Sequence, residues 1–259
     1  MLVKMQSCGV NPSDKYMSLG LYGNFGKTAN WPLGDKETCG VGFEGAGDVM
    51  QVGSSLDSAL VGRKVAVSNT PGISGYQGTW RQYLVVEKDA WMVYPDEADY
   101  DQIAYSFVNP MTVWYFWHLI KQDKVNAVIQ DAACSSLGKM FLKLCIREGI
   151  KIINIVRREE QEKQLSELGA EIVLNSESED FEQKLKDTIE DIQPKAFFDC
   201  VGGKIARSVL SNLPRYSKFY IYGSLEKESS LTLTNREVIG GRLTMRGLFL
   251  GDFLQSELR

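Results

Sequence analysis

The sequence predicts a two-part α/β protein, with a small antiparallel β-barrel in the first hundred residues and a doubly wound domain around a parallel sheet after it. Three observations carry this reading. Short apolar runs separated by glycine-rich turns fill residues 1–100, which is the texture of antiparallel strands. From residue 127 onward, apolar runs of strand length alternate with helical patterns, which implies parallel pairing through helical crossovers. Between the first such strand and its helix lies Asp131-Ala132-Ala133-Cys134-Ser135-Ser136-Leu137-Gly138, a turn of small residues suited to presenting backbone N–H groups to a phosphate.

The elements follow in order. Residues 2–5, 47–52, 63–67 and 82–86 read as the strands of the β-rich half. A boundary is expected near residues 96–101. The aromatic run Trp114-Tyr115-Phe116-Trp117 and the single histidine, His118, read as a helix whose rings pack in the core. Strand 127–129 enters the turn, and Met140, Phe141, Leu144 and Cys145 mark the helix that leaves it. Next come strand 152–156, helix 159–168, strand 171–174, helix 180–192, strand 196–201, helix 204–213 and strand 219–222. The serine-and-acid stretch 175–180 is a loop within this half. The chain has no internal repeat and no low-complexity linker.

One glycine in the 131–138 turn falls short of the usual three-glycine fingerprint, so a dinucleotide site and an ordinary tight turn both stay open there. Strand 152–156 ends at Arg157-Arg158, where an NAD-preferring fold usually places an acid for the ribose hydroxyls. Two guanidinium groups at that position suit a 2′-phosphate, and the competing reading pairs them with Glu159 and Glu160. Val201-Gly202-Gly203 and Tyr222-Gly223-Ser224 also follow strands, on the carboxyl edge where ligands bind such sheets.

Composition narrows the classes. With 259 residues, 44% of them hydrophobic, the chain can build one large or two ordinary domains at roughly 150 residues each. A net charge of -4 without a long basic cluster argues against nucleic acid as a partner. No apolar run approaches the roughly 20 residues needed to span a bilayer, and residues 1–5 lack the pattern of a signal or transit peptide. The expected location is the cytoplasm, or the mitochondrion if a presequence has been removed. Cys8, Cys39, Cys134, Cys145 and Cys200 are scattered, with no C-x-x-C spacing, so a reducing compartment fits better than a disulfide framework. A single histidine excludes multi-histidine metal sites.

With both halves read, the chain resembles the medium-chain dehydrogenase/reductase superfamily. The matching segments are Cys8-Gly9-Val10-Asn11-Pro12-Ser13-Asp14, Gly42-Phe43-Glu44-Gly45, Gly62-Arg63-Lys64-Val65, Gly78-Thr79-Trp80, Asn109-Pro110-Met111-Thr112 and Cys200-Val201-Gly202-Gly203, recurring in order. The resemblance implies a GroES-like catalytic domain over residues 1–100, with its barrel incomplete in these residues, and a Rossmann NADP-binding domain over 101–259. Zinc alcohol dehydrogenases of this superfamily carry a cysteine two residues after the Gly-Val and a histidine between the Gly and the Glu. Here Asn11 or Pro12 and Phe43 stand at those positions, and the four-cysteine structural lobe is missing, so no metal is expected. Hydride transfer without a Lewis acid suits an activated C=C bond or a quinone.

Within the zinc-independent members, Asn11-Pro12-Ser13-Asp14 with Leu19-Gly20-Leu21-Tyr22-Gly23 looks like the 2-enoyl thioester reductase segment in which a tyrosine serves the reaction. Tyr22 takes that role by resemblance, hydrogen-bonding the thioester oxygen or delivering a proton to the neighbouring carbon. Read from the residue alone, a tyrosine on a glycine-rich loop is a packing residue. By resemblance, NADPH would be contacted by Asn109, Thr112, Cys134, Ser135, Ser136, Leu137, Gly138, Arg157, Arg158, Val201, Gly202, Tyr222, Gly223, Ser224, Leu248, Phe249 and Leu250. Residues 248–250, following 243–247, match the superfamily's last sheet strand and the loop leaning on the cofactor. Glu44 reads as an internal hydrogen-bond partner rather than a base, and Trp80 as a core ring.

Two departures bear on function. The chain starts at an early barrel strand and ends at Arg259, where superfamily members usually continue, and Ser136 stands where a glycine is usual. The leading expectation is an NADPH-dependent reductase of a 2-enoyl thioester or a quinone, acting on a small molecule as a homodimer paired through residues 243–250. A catalytically inert subunit of a larger assembly and a non-redox nucleotide binder remain the other classes.

Overall fold

The computed structural model describes residues 1–19, 21, 40–68, 78–87, 90–226 and 230–257. It divides into two units, Met1–Met111 with Leu250–Arg259, and Thr112–Phe249.

In the first unit, β1 (Leu2–Cys8) leads through α1 (Pro12–Ser18) to β2 (Glu44–Gln51), β3 (Lys64–Ser68), β4 (Tyr83–Val85) and β5 (Trp91–Val93). The sheet order is β4-β1-β2-β3-β5, antiparallel throughout, so β4 and β5 are its ends and the described residues form no closed barrel. Alternation along the strands sends Val3, Val49, Val65, Val67 and Leu84 to one apolar face. The other face places Ala46 and Ala66 under α2 (Tyr100–Ala104), against Ile103 and Ala104. Burying each large aliphatic side chain contributes about 1.5–3 kcal/mol before entropy is counted.

Helix α3 (Val108–Asp123) runs from the first unit into the second. It includes Asn109, although a following proline disfavours helix at that position. Pro110 sits in the first turn, where the missing N–H leaves no hydrogen bond unmade, so its ring is tolerated. Of the aromatic run, Tyr115 and Phe116 are buried while Trp114 is 52% exposed. The expectation of a uniformly buried run therefore fails, because a helix turns only part of four successive residues inward.

The second unit alternates strands and helices as the periodicity predicts. In order they are β6 (Ala127–Gln130), α4 (Ser136–Arg147), β7 (Lys151–Val156), α5 (Glu159–Glu167), β8 (Ile172–Asn175), α6 (Phe181–Ile192), β9 (Ala196–Asp199), α7 (Gly203–Asn212), β10 (Lys218–Ile221), α8 (Asn235–Gly241) and β11 (Thr244–Gly247). Helix α9 (Leu250–Glu257) follows and belongs to the first unit. The strand order is β11-β10-β9-β6-β7-β8, parallel at every junction, which is the doubly wound arrangement. Chain order reverses at the β9/β6 junction.

Successive residues of β9 face opposite layers. Phe197 stacks on Phe219, with centroids 5.4 Å apart, in the cluster that includes Leu185 and Ile189 of α6 and Ala206 and Val209 of α7. Phe198 meets Phe116, Phe141 and Tyr220 on the other side, at 4.4, 5.1 and 5.1 Å. Within the sheet, the buried Gln130 Nε2 donates to Asn154 Oδ1 at 2.8 Å and to the Gly138 carbonyl at 3.1 Å. That pair ties β6 to β7 and to the start of α4.

Candidate functional site

The carboxyl edge of the parallel sheet gathers five loops from the ends of β6, β7, β9, β10 and β11. At the first, Ala132 adopts φ +43 and Ala133 N–H donates to the Ile155 carbonyl at 3.2 Å, which turns the chain sharply out of β6. Ser135 caps α4, its hydroxyl accepting from Gly138 N–H at 3.0 Å. Ser136 and Leu137 supply the other early N–H groups of α4, whose orphan donors and positive end suit an anion. Gly138 is required for packing: a Cβ there would lie 2.4 Å from the Ala133 carbonyl oxygen. A serine at 136 is compatible with the turn because it lies on the exposed side of the helix start.

At the end of β7, Arg157 and Arg158 are exposed, and among the described residues neither makes an ion pair with Glu159 or Glu160. The Arg157 N–H is instead held by Gln161 Oε1 at 3.2 Å. An open cleft of about 480 Å³ lies beside this corner, lined by Cys134, Arg158, Glu160, Gln161 and Gln164. The Cys134 thiol donates to Gln164 Oε1 at 3.1 Å, joining the phosphate-type turn to α5.

The β9 loop is held from below. Asp131 is fully buried and Asp199 is 2% exposed. Asp131 accepts from Cys200 N–H at 2.9 Å and Val201 N–H at 3.3 Å, while Asp199 Oδ1 accepts from Gly202 N–H at 2.8 Å. Gly202 takes φ +81, a backbone region that favours glycine. Burial, reinforced by Asp199, holds the Asp131 carboxyl well above the usual range. Burial likewise pushes up the Cys200 thiol and the Tyr222 hydroxyl. The Tyr222 ring packs on Phe116 at 4.8 Å, so this side chain braces the loop from inside. Gly223 sits against Cys200, Ser224 is exposed, and Leu248 N–H donates to the Ile221 carbonyl at 2.7 Å. Phe249 closes the unit and Leu250 opens α9.

The first unit carries a separate buried polar cluster. Glu44 is 1% exposed and accepts three hydrogen bonds: Asn11 Nδ2 at 2.9 Å, Phe107 N–H at 3.0 Å and Val108 N–H at 2.8 Å. Its carboxylate thereby caps the start of α3, the helix that bears Asn109 and Thr112. Asp14 accepts from the N–H groups of Asn11 and Phe43, at 2.7 and 2.9 Å. Burial raises both carboxyl groups above their usual range. Phe43 is buried and has no ligand atom, and the Asn11 amide is held by Glu44. Trp80 is 45% exposed, contrary to its expected place in the core, because its Nε1 is drawn to the Gly9 carbonyl at 3.1 Å. Tyr22 lies outside the described residues.

The sequence thus pointed to the loops and missed what supports them. Neither the Asp131–Asp199 neighbourhood nor the Glu44 cap was anticipated. A buried-strand run ending in an acid was the available signal for the first, and the Gly-Phe-Glu-Gly segment for the second.

Residues 1–96 match the alcohol dehydrogenase GroES-like domain, and residues 136–259 match the zinc-binding dehydrogenase domain. The mitochondrial enoyl-[acyl-carrier-protein] reductases of Arabidopsis thaliana and Homo sapiens are each 30% identical over 97% of this chain. The chain spans 64% and 65% of their lengths. The crystal structure of a protein assigned as an NADPH:quinone reductase from Mesorhizobium loti superposes with a TM-score of 0.85 at 29% identity, covering 99% of this chain and 72% of that one. The fold and its two matched domains define a GroES-like plus Rossmann architecture. The chain belongs to the medium-chain dehydrogenase/reductase superfamily, on the side of its enoyl thioester reductases and quinone oxidoreductases.

Proposed function

We propose that the protein is an NADPH-dependent reductase of an activated C=C bond in a 2-enoyl thioester. The observation that carries the cofactor reading is the pairing, on one sheet edge, of an anion-ready start of α4 with two exposed arginines free of their acidic neighbours. Ser136, Leu137 and Gly138 would hold the pyrophosphate, and Arg157 and Arg158 the 2′-phosphate. Cys134, Ser135, Val201, Gly202, Tyr222, Gly223, Ser224, Leu248, Phe249 and Leu250 would shape the loops around the dinucleotide, with Asn109 and Thr112 toward its nicotinamide. When bound, the nicotinamide supplies a hydride. The hydroxyl of Tyr22 would then hydrogen-bond the thioester oxygen as negative charge develops there, or release its proton to the carbon beside it. The names of the relatives favour the thioester and a mitochondrial setting. A quinone is the second reading, favoured by the identity with the Mesorhizobium loti protein.

NADPH oxidation against crotonyl-CoA and against a quinone, in the parent and in Tyr22→Phe, tests both. A thioester reductase should turn over crotonyl-CoA, and loss of the hydroxyl should lower kcat and kcat/KM together by about 10²–10³-fold. Turnover of quinone alone, unaffected by Tyr22→Phe, would establish the second reading. A folded, NADPH-bound protein that reduces neither acceptor would be an inert homologue.

A further inference from the structure

We propose that Asp131 and Asp199 hold one proton between them and act as positioning residues for the β9 loop of the cofactor site, an inference that rests on the nucleotide reading above. Across the β6–β9 junction Gln130 pairs with Phe198, so the next residues of both strands, Asp131 and Asp199, leave the sheet side by side at the point where chain order reverses. Both are buried, and two adjacent carboxylates cannot both stay charged without water. Three successive amides of the loop end on this pair, Cys200 and Val201 on Asp131 and Gly202 on Asp199. The groups facing the pair are Cys200 from the end of β9 and Tyr222 from the end of β10, with Phe116 of α3 contributing only a ring.

Cys200 and Tyr222 share the buried corner with the pair, so a proton held by one carboxyl, which lets it donate to the other, spares the corner a second charge. Removing that proton sets two negative charges against each other beneath the loop, and the three amide anchors part. Val201 and Gly202 then lose the positions from which they would meet the dinucleotide.

The linkage has a definite sign. Asp131 ionises at higher pH in the folded state than the ordinary 3.8, so the stability it contributes is complete below that value and is lost as pH rises toward the folded value. Within that window the folding equilibrium constant falls about tenfold per pH unit through this group alone. Asp131→Asn cannot titrate, and its carbonyl keeps the Cys200 N–H while its amide N–H can donate to Asp199, at the cost of the longer Val201 contact that the second carboxylate oxygen accepts.

The test combines urea unfolding from pH 4.5 upward with NADPH titration followed by fluorescence, for the parent, Asp131→Asn and Asp131→Ala. Relative to Asp131→Asn, the parent's folding constant should fall about tenfold per pH unit. Asp131→Ala should weaken NADPH binding by more than about tenfold, and Asp131→Asn should restore it to within about threefold of the parent. If Asp131→Ala does not fold, Asp199→Asn serves instead: it removes the part of the shift that Asp199 adds, so the pH-dependent loss should end at lower pH than in the parent while burial still raises Asp131. Parallel stability curves for the parent and Asp131→Asn would overturn the shared proton, and parental NADPH affinity in Asp131→Ala would overturn the positioning role. A parent that binds no NADPH would sink the nucleotide reading and the positioning role with it, while the stability curves would still decide whether the proton is shared.

Discussion

Arg157 and Arg158 are the residues on which cofactor choice turns, because they stand exposed at the end of β7 without partners from Glu159 or Glu160. A charge-assisted hydrogen bond contributes about 1.5–3 kcal/mol, so replacing both by alanine should weaken NADPH binding by more than about tenfold and leave NADH almost unchanged. Fluorescence titration of both cofactors checks this, and equal losses would remove the 2′-phosphate assignment. Glu44 has a different role. Its truncation to alanine removes the carboxylate that the half-buried Phe107 and Val108 N–H groups donate to, at a cost of about 1–3 kcal/mol in all. Urea unfolding should show that loss, and a change under 0.5 kcal/mol by the same scale would mean that water replaces the carboxylate. The arginines were legible in the sequence because position after a strand is enough to single them out. Glu44 was legible only as an internal partner, since nothing in the local pattern says which backbone groups, 63 residues away, will meet it.

Strands and helices of the second unit were readable because each obeys one period. β6, β7 and β9 are largely apolar runs of strand length, and the spacing of apolar residues in α4 and α6 repeats every three to four positions. Helix α8 was not singled out, although Thr234 and Glu237 form a reciprocal capping box at its start. Its apolar positions are few and exposed, so periodicity gave no signal. The lateral order of the strands is absent from local pattern altogether, which is why the Asp131–Asp199 neighbourhood emerged only with the fold. At this scale the sharpest test is Gly138→Ala. The new Cβ meets backbone rather than a flexible side chain, so the start of α4 must move off the turn at Ala133. A stability loss of about 1–3 kcal/mol is expected together with weaker NADPH binding, measured by thermal unfolding and titration. Unchanged binding would show that the start of α4 does not hold the pyrophosphate.

At the scale of the whole molecule, β11 is the outermost strand of the parallel sheet and all four of its residues are exposed, Met245 to 45%. An open edge of this kind is a template for pairing with a second copy, so a homodimer is expected in solution. Sedimentation at micromolar concentration should give twice the chain mass, and Met245→Lys should shift it toward monomer. A parent that sediments only as monomer would leave the edge to some other cover. The assignment of α9 to the first unit carries a consequence for synthesis. The second unit is one unbroken stretch of chain, so it can fold on the ribosome as soon as β11 has emerged. The first unit is discontinuous, and its last helix, with the buried Phe253 and Leu254, is translated only after the whole second unit. Its strands, although translated before the second unit, should therefore become protease-resistant after it, and pulse-chase proteolysis of nascent chains would show the order of birth and the order of folding of the two units reversed.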